Sequence, residues 1–213
     1  MSYAVSLSDA VAIENRTDLI EVIRREADRD DLTDDEAKEF IQRAEALFNR
    51  ILRVPAMESV ATITLVDGVG DLPDDWLASL SLFDADGNAI PAVSLVQLYE
   101  MQAYNRPVHR VVGNELRVKP DSDDTVTLVY YAKVPALTDA YPSNWLLDSH
   151  PDIYLYACLL MFASRVGDDD NIVKWKAALD EALGQLQTAG LRDRHAGPLL
   201  MRGALYQVRG ATV

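Results

Sequence analysis

Apolar positions first recur at helical spacing. Leu19, Ile20, Val22 and Ile23 form a narrow stripe on a helix that Thr17 is placed to cap, after a weakly patterned arm over residues 1–16. Thr33-Asp34-Asp35-Glu36 reads as a capping box. Behind it Ala37, Phe40, Ile41, Ala44, Leu47, Phe48, Ile51 and Leu52 keep helical spacing for several turns, and this helix should end before Pro55.

The period changes at Ser59. Val60 to Val66 and Leu77 to Phe83 alternate with period two, as half-buried strands do. Asp86-Gly87 is a hairpin-type turn leading to Ala89–Val93, and Ser94 can cap a short helix from Leu95 to Ala103. Arg110–Val112 and Glu115–Val118 flank Gly113-Asn114 as a second hairpin, and Thr125 to Ala132 makes a last strand rich in β-branched and aromatic residues.

The third pattern is an absence of pattern. Ile153 to Ala163 carries no charged or amide side chain, so a helix there must be covered on every side. It is about half the roughly 20 residues of a bilayer crossing, which makes it the central helix of a core. Ser149 is placed to cap it, with Pro151 in the first turn, Asp152 near the exposed amides, and Gly167 closing the far end. Trp145 should pack beside this helix, against the stripe of Phe40, Leu47 and Trp175. An amphipathic helix from Asp168 to Thr188 follows, ending near Gly190.

Helices, then short strands, then helices again predict an α+β fold. A mainly α-helical bundle is formed by the N- and C-terminal helices, with a small antiparallel β-sheet inserted between its halves and an extended C-terminal tail. The expected units are an arm at 1–16, the first half of the bundle at 17–58, the β subdomain at 59–135, the second half of the bundle at 136–190 and the tail at 191–213. Glycines 190, 197, 203 and 210 with Pro198 argue against a continuous helix through that tail.

Charge narrows the functions. A formal net charge of −14 over 213 residues argues against a nucleic-acid-binding exterior. The tail alone reverses the balance, with Arg192, Arg194, Arg202 and Arg209 against Asp193. Leu199, Leu200, Arg202, Leu205, Tyr206 and Arg209 alternate apolar anchors with arginines, as a docking segment does. Cys158 is the single cysteine and sits in the apolar run, so it reads as a buried, inert thiol. A reducing cytoplasm, and no secretory leader, are the expected setting.

Catalytic readings fare poorly. Ser149, His150 and Asp152 have the letters of a hydrolytic triad but would fan around one helical turn, and capping explains them better. Asp84-Ala85-Asp86-Gly87-Asn88 begins like a calcium loop, yet Ala89 stands where that loop needs glycine and Leu95 where it needs glutamate. His109, His150 and His195 share no ligand spacing, and no glycine-rich loop joins a strand to a helix. The expectation is no enzyme, no metal and no cofactor.

The central stretch also carries a family resemblance. Asn144-Trp145-Leu146-Leu147 followed by His150-Pro151-Asp152-Ile153-Tyr154-Leu155-Tyr156-Ala157 resembles the signature of head-to-tail adaptor proteins of tailed bacteriophages. Ala44-Glu45, Asn49 to Val54 and Met57-Glu58 are similar to that family's second helix, and Leu72 to Leu77 to its first sheet segment. The resemblance runs from about Thr17 to Thr188 and does not reach the arm or the tail. It implies a structural virion protein that forms a ring, commonly of twelve copies, attached to the portal and joining the DNA-filled head to the tail. The implied partners are other copies of the chain, the portal, and tail, nozzle or stopper proteins, with DNA only passing through and no membrane. The implied location is the virion, after assembly in the host cytoplasm. The rivals are a non-catalytic regulatory binding module and a small hydrolase using Ser149 or His150.

Overall fold

Asn15, rather than Thr17, opens the first helix. The computed structural model describes residues 12–29, 31–100 and 106–195. Helix α1 (Arg16–Glu26) starts where the Asn15 side chain accepts hydrogen bonds from the Thr17 and Asp18 amides at 2.8 and 3.1 Å. Threonine and asparagine both cap well, but Asn15 alone precedes an apolar stripe in register, and Leu19, Ile20, Val22 and Ile23 are all buried. Arg16 is therefore helical and does not belong to an arm. Helix α2 (Asp34–Ile51) carries the expected capping box: Thr33 accepts from the Glu36 amide while Glu36 accepts from that of Thr33. Its stripe drifts at the C-terminal end, where Leu47 is half-buried and Ile51 exposed. Leu52 turns extended ahead of a 3₁₀ turn over Pro55–Met57.

The strands form two sheets where one was expected. Strands β1 (Glu58–Thr64), β2 (Val69–Asp71) and β3 (Trp76–Phe83) precede helix α3 (Leu95–Glu100); β4 (Val108–Val112), β5 (Glu115–Lys119) and β6 (Thr125–Ala132) follow it. One antiparallel sheet has the order β1-β6-β3 and the other β2-β5-β4. Ala89–Val93, the expected strand after the Asp86-Gly87 turn, makes only isolated bridges, from Ala89 to Phe83 and from Ala92 to His109. Between the sheets lies a second core that includes Ile63, Leu82, Leu116, Val118, Val126 and Leu128. Alternation then points the other residues of the β1-β6-β3 sheet outward. Val60 pairs with Val129 and Thr62 with Thr127, all four outside both cores, and Val60 is 65% exposed.

The bundle closes with α4 (Trp145–Ser149), α5 (Pro151–Val166) and α6 (Asp169–His195). Ser149 ends α4 and does not cap α5; that position belongs to His150, whose side chain makes no capping bond. Proline at the next position removes one of the amides a cap would satisfy, so the loss is small. Gly167 closes α5 in the left-handed region, at φ +73°, and Asp168 caps α6 through the Asn171 amide. Helix α5 packs on α1, α2, α4 and α6, and no residue from Ile153 to Ala163 is exposed. Burial of each such large apolar side chain contributes roughly 1.5–3 kcal/mol, which makes this helix the centre of the bundle core.

Helix α6 does not stop at Gly190. It runs five residues further, to His195, so the expected extended tail cannot begin at Leu191. The glycine serves a contact and not a terminus: a Cβ there would stand 2.8 Å from Pro55 Cδ. The absent side chain lets α6 close on the 3₁₀ turn at the entrance to the β unit.

Candidate functional site

The motif residues converge on one buried polar node. Asn144 sits before α4, and its Oδ1 accepts from the amides of Leu146 and Leu147 at 3.1 and 2.9 Å. Its Nδ2 donates to the Pro135 carbonyl at 2.6 Å and to the Tyr154 hydroxyl on α5 at 2.7 Å. Tyr154 in turn donates to Glu45 Oε1 on α2 at 3.5 Å, the longest link of the chain. The same carboxylate oxygen accepts the Leu137 amide at 2.7 Å. One turn further along α2, Asn49 accepts the Val134 amide at 2.8 Å. Arg16 ties α1 to the same stretch, donating from its amide to the Pro142 carbonyl at 2.8 Å and from Nη1 to the Leu137 carbonyl at 3.2 Å, with an ion pair to Asp139.

These bonds share one object, the connection from Val134 to Asn144 that joins β6 to α4. Helices α1 and α2 hold it through side chains reaching main-chain groups that no ladder satisfies, and Tyr154 on α5 braces it through the side chains of Asn144 and Glu45. The node therefore fixes the β unit relative to the bundle.

Its chemistry is that of a filled site. The asparagine amide has two donors and two acceptor directions, and all four are used. Burial pushes the Glu45 carboxyl above its usual range, opposed by the Leu137 and Tyr154 hydrogen bonds. The Tyr154 hydroxyl and the Cys158 thiol are driven up by burial as well, which keeps both protonated. The Tyr154 ring packs edge-on against Phe48, with centroids 5.0 Å apart. Glu45 showed in the sequence only as a motif letter beside Ala44 on the apolar stripe, with no sign that it is buried here.

The other motif residues do packing work. Leu146 and Leu147 are fully buried, and Tyr156 stacks on Trp175 at 5.9 Å. Trp145 is only half-buried at the edge of the bundle core, and the aromatic partners of Phe40 and Trp175 are Phe162 and Tyr156. Pro151 is half-buried and Asp152 exposed. Among the described residues no hydrogen bond joins Ser149, His150 and Asp152; they occupy the end of one helix and the first turn of the next. Asp84 accepts from the amides of Asp86 and Asn88, which is the turn reading of that segment. His109 is buried against the Ile90 carbonyl at 2.9 Å, and burial lowers its pKa. Leu199, Leu200, Arg202, Leu205, Tyr206 and Arg209 lie outside the described residues. Among the described residues no helix is long and apolar enough to cross a membrane.

A helical bundle with an inserted two-sheet unit, pinned by a saturated polar node, defines the class: an α+β scaffold whose marked residues serve its architecture. The sequence model of the SU10 adaptor protein family matches residues 15–202, and the chain belongs to that family. It is a phage head-to-tail adaptor, a structural component of the virion. The match extends past the expected limit at Thr188 to Arg202, taking in the first residues of the tail. No curated protein matches the chain in sequence.

Proposed function

We propose that the protein forms a ring, of twelve copies, that attaches to the portal and links the DNA-filled head to the tail. The observation that carries this reading is the extent of the family match, which spans both halves of the bundle and the inserted β unit. Each copy works as a bundle of residues 17–58 and 136–190 with a β subdomain at 59–135. The chain ends before α1 and after α6 make contacts with neighbours.

In this reading the motif Asn144, Trp145, Leu146, Leu147, His150, Pro151, Asp152, Tyr154 and Tyr156 shapes the subunit and performs no catalysis. Leu199, Leu200, Arg202, Leu205, Tyr206 and Arg209 dock on the portal. Tail, nozzle or stopper proteins occupy the opposite side, and DNA passes through the channel without specific binding, repelled by the net negative charge. The ring is assembled in the host cytoplasm and remains in the virion. Electron microscopy of the protein mixed with its portal tests this directly. A portal capped by a ring of adaptor subunits is the expected image, and portals that stay bare at saturating adaptor would overturn the reading.

A further inference from the structure

The end of the β unit that faces away from the bundle carries a groove. Strands β1 and β3 both run antiparallel to β6, with Thr64 opposite Thr125 and Phe83 opposite Thr127 at one end. At the other end Tyr131 enters the bundle core. The two sheets part at the far end over a groove of about 360 Å³. Ile90 and Val126, buried members of the second core, form its floor, and the exposed Pro107 and Pro120 form its walls. Asp84, Asp86 and Asp124 stand on its rim. Asp84 and Pro107 also line a second hollow, of about 560 Å³, so the two are continuous.

We propose that this groove docks an extended, basic polypeptide segment of a partner protein. Apolar side chains of the segment lie on Ile90 and Val126 while its arginine or lysine meets Asp86 and Asp124. Charge selects that occupant. Among the described residues no lysine or arginine lines the groove. Lys119, next to Pro120, is paired with Asp121, and Arg106 lines only the adjoining hollow. Asp84 and Asp123 already accept main-chain amides of their own turns. The carboxylates of Asp86 and Asp124 are exposed and have no bonding partner among the described residues. A phosphate backbone, or the acidic body of a second copy in a chain of net charge −14, brings the wrong sign. An arginine or lysine stem is apolar for most of its length and charged at its tip. It therefore matches core side chains at the base of a groove and carboxylates along its rim. Extended segments gain affinity from such apolar anchors and register from the charges beside them. The contact belongs to the single subunit and holds whether or not a ring forms.

The test is fluorescence anisotropy of a labelled peptide of alternating leucine and arginine, titrated with the full chain at physiological salt, where charges beyond about 8 Å are screened. Wild type is expected to bind it saturably. Asp86→Ala with Asp124→Asn should weaken binding at least tenfold with an unchanged melting curve, since neither side chain supports its turn. Asp180→Asn with Glu181→Gln removes the same charge from exposed positions on α6 and should change binding less than twofold. A second probe, with serine in place of leucine, should bind wild type at least tenfold more weakly. Equal weakening by the two pairs of substitutions would mean diffuse attraction to an acidic protein and overturn the groove. Equal binding of the two probes would leave its apolar floor without a role and overturn the docking of an apolar segment. Failure of wild type to bind saturably would overturn the proposal outright.

Discussion

Asn144 and Tyr154 are joined by a 2.7 Å hydrogen bond that bridges the start of α4 and the core of α5. The asparagine side chain cannot be replaced by halves. Its oxygen caps a helix while its nitrogen donates to the Pro135 carbonyl and to the buried Tyr154 hydroxyl. Asn144→Ala should therefore lose the cap, about 1 kcal/mol, and strand polar groups at roughly 1–3 kcal/mol. Asn144→Asp keeps the cap but has no donor for Pro135 or Tyr154, so it should recover little. Chemical denaturation of both variants checks this, and an aspartate variant as stable as wild type would show that the donor half of the node is idle.

Glu45 makes the node sensitive to pH. Burial raises its carboxyl pKa in the folded chain, while the unfolded chain titrates near the ordinary value of about 4.3. Below that ordinary value both states are protonated and the stability contributed by this group is complete. As pH rises, the unfolded chain ionises first, and stability is lost until the folded carboxyl ionises too. Glu45→Gln removes this titration while Oε1 still accepts from Leu137 and Tyr154. The stability of wild type relative to the variant should fall as pH is raised from about 4 toward neutrality. Asp168, Glu36 and Asp84 have depressed pKa values and act in the opposite sense at lower pH. They are common to both proteins and cancel in the difference. Parallel profiles across that window would mean that Glu45 is as well solvated folded as unfolded.

Two glycines on α6 separate propensity from packing. Gly184 is exposed with open space around its missing side chain, whereas Gly190 is buried against Pro55 and Val54. Alanine favours a helix over glycine by about 1 kcal/mol. Gly184→Ala should realise up to that gain. Gly190→Ala places a methyl 2.8 Å from a proline ring that cannot swing aside. Overpacking of this kind costs about 1–3 kcal/mol, so the net change should be destabilising. Paired thermal melts decide the matter: two stabilising substitutions would mean that α6 and the 3₁₀ turn are not in tight contact.

What could be read from the sequence was local. Thr33 to Glu36 announces a helix start because both halves of the box are within one turn, and α5 announces its burial because no face of it is polar. The alternation of β1 and β3 is visible for the same reason. Pairing between distant strands is not local, so the division into two sheets was hidden, and β2, at three residues, is too short to show a period. Asn144 and Tyr154 were visible only as motif letters. Their partner Glu45 was a motif letter too, but its burial was hidden because a carboxylate on α2 looks solvated until the connection from Val134 to Asn144 is folded over it. Gly190 misled because a glycine near a helix end signals a terminus more often than a contact with a proline.

The tail is where subunit and assembly should come apart. Among the described residues every buried member of the bundle core lies between Leu19 and Leu186, and α6 is described to His195. Deletion of Ala196 to Val213 leaves all of these residues in place, and the truncated chain should melt with wild type. It does remove Leu199, Leu200, Arg202, Leu205, Tyr206 and Arg209, in which apolar anchors alternate with guanidinium groups. Such anchors fill shallow pockets while the arginines pair with carboxylates on a partner's rim, and most binding energy resides in a few of them. The expected outcome is a folded protein that no longer sediments with portal-bearing heads. Arg202→Glu with Arg209→Glu should give the same loss if charge pairing orients the docked segment, and raised salt should weaken the wild-type contact in step. Normal decoration of heads by the truncated protein would move the portal contact to the bundle or to the β unit.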